Sequence, residues 1–133
     1  MKRTQKGNYQ VVKKNWDSQG ELKIARILKG LKINYIEEHW FNTCINPRTK
    51  CRLRFDFYLP NYNCCIEFDG EQHFKESGYK NWDKLENIQY RDKIKNEWCK
   101  KNGVTLIRIP FTDQDKISQS YIKSAAMAKG IYL

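Results

Sequence analysis

The sequence is short of several things, and each shortage narrows its class. No apolar run approaches the roughly 18 residues that a bilayer span needs, and no signal-peptide pattern follows Met1. The expectation is a chain that is neither membrane-spanning nor secreted: cytoplasmic, or in the host-cell cytoplasm if virus-encoded. There is no C-x-x-C pair. The five cysteines, Cys44, Cys51, Cys64, Cys65 and Cys99, are an odd number, which argues against a secreted disulfide framework and for free thiols in a reducing compartment. A zinc site from Cys44, Cys51 and His39 would lack a recognised ligand spacing, so the thiols read as small hydrophobes of a core. No internal repeat, low-complexity tract or separate recognition domain is visible.

What is present is a chain of 133 residues, 40% hydrophobic and 14% aromatic, too apolar to be disordered and about the size of one domain. Its 25 Lys and Arg against 15 Asp and Glu leave a net charge of +10, the balance of a protein that seeks polyanions. Residues 1–17 hold Lys2, Arg3, Lys6, Lys13 and Lys14 among few apolar residues and read as a flexible basic arm able to clamp phosphates. Residues 18–133 read as a single folded domain.

That domain opens at Ser18. Ser18-Gln-Gly-Glu21 fits a capping box, and Leu22, Ile24, Ala25, Ile27 and Leu28 form a helical stripe closed by Gly30. Ile33–Phe41 reads as a first strand. Arg52–Leu59 alternates, with Leu53, Phe55, Phe57 and Leu59 on one face and Arg54, Asp56 and Tyr58 on the other. A Pro60–Asn63 turn leads to the partner strand Cys64–Asp69, in which Cys64, Ile66 and Phe68 oppose Cys65, Glu67 and Asp69. A long helix over 83–102, a doubly buried strand over Val104–Pro110 and a last helix starting near Thr112 complete the order α-β-β-β-α-β-α. This is an α/β sandwich around one mixed sheet.

The hairpin register gives the chemistry. A turn at 60–63 pairs Leu59 with Cys64 and, three rungs along, Asp56 with Glu67. Strand alternation puts both on one face as well. Directly opposed residues have Cβ atoms about 5 Å apart, where two ionised carboxylates repel by about 3 kcal/mol at an effective dielectric near 20. A shared proton, a basic neighbour such as Arg54, or a divalent cation would offset that repulsion. For a basic chain a hard cation such as Mg²⁺ is the most economical. Weak repulsion between two solvated carboxylates is the bland alternative.

Other residues admit two readings. Glu21 completes the capping box, or completes an acidic cluster if its helix crosses the hairpin. Gln72 and His73 follow the second carboxylate strand, placed to orient or deprotonate a water, though a loop histidine is more often only solvated. His39, beside Trp40, reads as structural. On the long helix Arg91, Asp92 and Lys95 fall within the apolar arc. Asp92 and Lys95 can pair at i,i+3, or Lys95 can face the acidic site. Trp16, Trp40 and Trp82 suit either core packing or stacking on bases.

Phe55-Asp-Phe-Tyr-Leu-Pro60, Ile66-Glu-Phe-Asp-Gly-Glu-Gln-His73, Asp92-Lys-Ile-Lys-Asn96 and Leu106-Ile-Arg-Ile-Pro110 resemble a branch of the PD-(D/E)XK nuclease superfamily. The branch holds very-short-patch-repair-like endonucleases, homing-endonuclease relatives and small phage-type proteins. The resemblance runs from about Ser18 to Pro110. It implies a restriction-endonuclease-like three-layer sandwich with a central mixed sheet flanked by helices, and Mg²⁺-dependent hydrolysis of DNA phosphodiesters, with Mn²⁺ able to substitute. By this resemblance Asp56, Glu67 and Glu21 hold the metal. The motif lysine belongs two residues after Glu67, where this chain has Asp69, so Gln72, His73 or Lys95 would take its role. The basic arm and Arg54 would supply phosphate contacts, and a homodimer or a separate recognition partner would supply long-site specificity. The rivals are a non-catalytic nucleic-acid-binding module on the same fold, and a carboxylate pair sharing a proton for metal-free hydrolysis of an uncharged substrate.

Overall fold

A computed structural model of the chain describes residues 18–71 and 85–133. Their element order is α1 (Gln19–Gly30), β1 (Ile36–Ile45), β2 (Arg52–Leu59), β3 (Cys64–Asp69), α2 (Leu85–Asn102), β4 (Thr105–Pro110) and α3 (Gln119–Met127). The expected order of elements is therefore the observed one. The sheet runs β1-β2-β3-β4, antiparallel through the first three strands and parallel between β3 and β4. α1 and α3 pack on one face through Ile24, Leu28, Ile122 and Ala126, against Phe57, Leu59, Ile66 and Ile109. On the other face, Cys99, Ile94 and Trp98 of α2 pack against Leu53, Phe55 and Cys65. The result is a three-layer sandwich with a mixed central sheet.

Local chemistry sets the ends of these elements. The Ser18 hydroxyl accepts from the Glu21 amide and caps α1. At the other end Gly30 is still helical; the left-handed position falls to Lys32 (φ 60°), and the Ile33 amide reaches back to the Leu28 carbonyl. The first strand accordingly starts three residues later than expected and runs to Ile45. α2 ends at Gly103, whose φ of 72° favours a residue without Cβ. The last helix begins later than expected. Phe111–Lys116 forms a 3₁₀ segment, and Ser118, not Thr112, caps α3 by accepting from the Tyr121 amide. Ile117 and Ile122, one on either side of that cap, both enter the core as a hydrophobic staple would.

One expectation about the hairpin is overturned. Leu53 and Phe55 pack towards α2, whereas Phe57 and Leu59 pack towards α1. The strand therefore changes faces at Asp56, and its odd-numbered residues do not share a side. The first strand changes faces with it: Tyr35, just before β1, packs on Phe57, while Phe41 packs on Phe55 and Trp98. The register between the strands holds on both sides of the change, with Glu37 opposite Phe57 and His39 opposite Phe55. At the rung between them stands Glu38 with φ 55°. A left-handed, non-glycine residue inside a strand is uncommon, and a bulge-like reversal of this kind re-aims side chains.

α1 lies unusually close to the sheet at its first turn. A Cβ on buried Gly20 would fall within the contact distance of three Phe68 ring carbons. The absent side chain thus lets the helix start rest on β3 and brings the neighbouring Glu21 over the point where the hairpin changes faces.

Candidate metal centre

The β2–β3 ladder follows the expected register from Leu59 opposite Cys64 to Phe57 opposite Ile66. There it opens, and side chains replace the backbone pairing. The Asp56 amide donates to Glu67 Oε2 at 2.6 Å, and the Phe68 amide donates to Asp56 Oδ2 at 2.8 Å. Each carboxylate satisfies a buried backbone donor that the parted strands would otherwise leave without a partner. The expectation that Asp56 and Glu67 oppose each other on one face does not hold. They are joined through each other's strand amides, but the reversal at Asp56 turns its side chain towards Glu21 and Glu38, whereas Glu67 groups with Asp69 and Asp92.

Glu67 is buried on the α2 side, where its Oε1 accepts from Lys95 Nζ at 2.9 Å. Of the two readings of Lys95, the one that faces the acidic site is therefore observed. Burial pulls the ammonium pKa down, but Glu67 and Asp56 outweigh that pull and raise it, so the group stays charged. Asp92 turns instead to Arg108, whose guanidinium also binds Asp69 at 2.7 Å and the Asn96 side chain at 2.8 Å. Glu67, Asp69 and Asp92 have carboxylate oxygens within 4.8 Å of one another, but Lys95 and Arg108 already supply positive charge to that group.

On the α1 side Asp56 forms a second group with Glu21 and Glu38, their oxygens again within 4.8 Å of one another. Burial, then the Glu67 and Glu21 carboxylates, push the Asp56 carboxyl well above the usual carboxylate range, against the opposing pull of the Phe68 amide and Lys95. Ionised carboxylates 4.8 Å apart repel by about 3.5 kcal/mol per pair at an effective dielectric of 20. Three ionised members would approach the whole stability of a domain. The group therefore favours protons or a cation. As a donor set it suits a hard cation: all donors are carboxylate oxygens, and their spacing is compatible with the roughly 4.2 Å between opposite ligands of an Mg²⁺ octahedron.

Of the residues singled out from sequence, the structure brings Asp56 together with Glu21 on one side of the sheet and Glu67 together with Lys95 on the other, the two pairs linked through the Asp56 amide's bond to Glu67. Arg54 is exposed and opposite Trp40 in the β1–β2 ladder; Lys95, not Arg54, is the basic partner of Glu67. Gln72, His73, Lys2, Arg3, Lys6, Lys13, Lys14, Trp16 and Trp82 lie outside the described residues. His39 stacks on Tyr58 with ring centroids 4.7 Å apart, as its structural reading anticipates. Cys44, Cys64, Cys65 and Cys99 are buried free thiols, and Cys51 is exposed. Burial pushes Cys44 up to about 11 and Cys64 up to about 12, values of inert core thiols. The grouping with Asp56 includes Glu38, which sequence reasoning misses. Its signal is the register: one rung beyond Glu37–Phe57 is Glu38 opposite Asp56.

No protein-family model matches the chain. The chain is 33% identical over 101 residues to Uncharacterized protein 033L of Invertebrate iridescent virus 3, an alignment covering 74% of this chain and 52% of that protein. It is 38% identical over 73 residues to Uncharacterized protein 307L of Invertebrate iridescent virus 6, covering 53% and 37%. A third relative, Uncharacterized protein 094L of Frog virus 3, is 32% identical over 77 residues, covering 53% and 48%. The chain spans about half or less of the length of each. No described helix is long and apolar enough to cross a membrane.

Proposed function

We propose that this chain is a Mg²⁺-dependent DNA endonuclease of the PD-(D/E)XK type, with its centre at the point where β2 parts from β3. The observation that carries the reading is the linked arrangement of Asp56, Glu67 and Lys95: two motif carboxylates locked to each other's strand, with a buried ammonium on one of them. The order of elements and the mixed sheet are compatible with a restriction-endonuclease-like fold, and the net charge of +10 suits a polyanionic substrate. Asp56 would hold the ion together with Glu21 and Glu38, with Glu67 beside it. When bound, the ion would supply Lewis-acid stabilisation to a phosphate oxygen.

The chain's own residues supply the rest. Backbone amides fix the Asp56 and Glu67 oxygens, so little reorganisation is needed at the moment of reaction. Lys95 substitutes in space for the motif lysine that the chain lacks at Asp69. Its ammonium balances the charge of Glu67 and would steady a phosphate that gains charge. Asp69 cannot take that role, because it is a carboxylate rather than a cation, and it pairs with Arg108 instead. Gln72 or His73 would orient or deprotonate the attacking water.

Plasmid nicking with Mg²⁺, Mn²⁺ or chelator tests this. The account expects cleavage with either metal and none with chelator. It expects Asp56→Ala and Glu67→Ala to abolish cleavage while DNA binding persists. Metal-independent DNA binding with no cleavage would favour the non-catalytic module instead, and activity that survives chelation would favour proton-sharing carboxylates.

A further inference from the structure

Beyond the change of faces at Glu38 and Asp56, the described residues cover the outer half of the β1–β2 hairpin on one side only. Phe41, Leu53 and Phe55 are packed beneath α2, whereas the opposite side carries Trp40, Arg52 and Arg54, all exposed. Between His39 and Phe55 the sequence has four basic residues, Arg48, Lys50, Arg52 and Arg54, and no acidic one. All four are exposed. None of them forms an ion pair among the described residues.

The arginines are arranged against aromatic rings. The Arg52 guanidinium lies 3.7 Å from the centroid of Trp40 and donates to the Asn42 side chain at 3.1 Å, whereas that of Arg48 lies 3.8 Å from the centroid of Tyr90 on α2 and is not part of this face. A guanidinium stacked on a ring keeps in-plane N–H donors for a phosphate. Trp40 itself is 38% exposed, a large apolar ring displayed within a basic surface. The Trp40–Arg54 rung lies two residues from Glu38 and Asp56 along both strands, about 7 Å at the usual strand rise.

We infer that this face is a platform for a single DNA strand running to or from the metal centre, with Trp40 stacking an unpaired base and Arg52 and Arg54 holding neighbouring phosphates. The inference rests on the proposed nuclease reading and specifies its substrate as DNA with unpaired nucleotides beside the reacting phosphate. Among the described residues α2 covers the other face, and a sheet surface that displays an aromatic ring beside basic side chains is how sequence-tolerant single-strand binding is built.

The test is fluorescence anisotropy of the full chain with a labelled 12-nucleotide oligothymidylate and a 12-base-pair duplex, in chelator so that nothing is cut. The expected result is tighter binding of the single strand. Trp40→Ala should weaken it roughly 5- to 150-fold, the range for losing one base–aromatic stack, and Trp40→Phe should restore most of the loss. Arg54→Ala should lower the slope of log K against log salt by about 0.7, one single-strand phosphate contact. Thermal melts of each variant confirm folding. Duplex binding as tight as single-strand binding, or folded Trp40→Ala and Arg54→Ala proteins that bind like the parent, would overturn the inference. Metal-dependent nicking by the parent alongside that result would leave the nuclease reading standing. Trp40-dependent binding without any cleavage would leave the platform standing and remove the nuclease.

Discussion

Replacing Lys95 by Met isolates the electrostatics that join α2 to the hairpin. The Lys95 and Glu67 side chains are 13% and 4% exposed and 2.9 Å apart, a buried pair rather than a surface one. Removing the ammonium leaves Glu67 as a buried carboxylate beside Asp56, held by one backbone amide. Breaking a buried pair in this way costs about 3–5 kcal/mol, because the surviving charge has lost its compensation. On a domain of about 5–15 kcal/mol that is a large fraction, and it corresponds to a fall in Tm of roughly 10–20 °C. Adding Glu67→Gln should recover much of the loss: the neutral amide needs no counter-ion, and its carbonyl oxygen can still accept from the Asp56 amide. Urea unfolding of the parent, both single variants and the double variant closes the cycle. A Lys95→Met cost below about 1 kcal/mol, the range of an exposed pair, would refute the reasoning, as would a double variant weaker than either single one.

Three further predictions follow from separate parts of the structure. Gly20→Ala should destabilise the protein by about 1–3 kcal/mol through overpacking against Phe68; chemical denaturation measures this, and a neutral effect would mean that α1 does not rest on β3 as described. The raised Asp56 pKa fixes a sign. The folded state holds a proton that the unfolded chain has already released, so with chelator this group's stabilising contribution is full below the ordinary aspartate range and is lost as pH rises through the raised value. The difference in unfolding free energy between parent and Asp56→Asn should therefore shift against the parent with rising pH, and a flat difference from pH 4 to 8 would contradict it. Arg108→Met should lower Tm by removing the cation shared by Asp69 and Asp92, whereas a melt equal to the parent's would show that this network is not coupled to folding.

The hairpin was legible because its two signals are local and chemical. A Pro–Asn turn fixes where the chain reverses, and the β2–β3 pairing from Leu59–Cys64 to Phe57–Ile66 follows from it. The reversal at Asp56 was not legible, since period-two alternation continues in the letters while the backbone turns over. Leu53 and Phe57 are both apolar and both buried, and only the packing shows that different helices bury them. Glu38 was hidden for the same reason: beside Glu37 in a polar stretch, nothing in its identity announces a left-handed φ. Lys95 and Asp92 suit each other as helical neighbours, but β-strand partners 28 and 16 residues away, Glu67 and Arg108, take them. The start of α3 is ambiguous in the sequence because Thr112-Asp113 and Ser118 both carry cap-forming side chains, and the 3₁₀ segment between them has no sequence mark of its own.

The proposed endonuclease depends on Asp56 anchoring a divalent cation at the parting of β2 and β3. Calorimetric titration of Mg²⁺ into the full chain, with a phosphorothioate oligonucleotide present to resist cleavage, addresses it directly. The account predicts saturable uptake by the parent that disappears in Asp56→Asn while oligonucleotide binding survives. Uptake unchanged by that substitution, or no magnesium uptake by the folded parent, would contradict it.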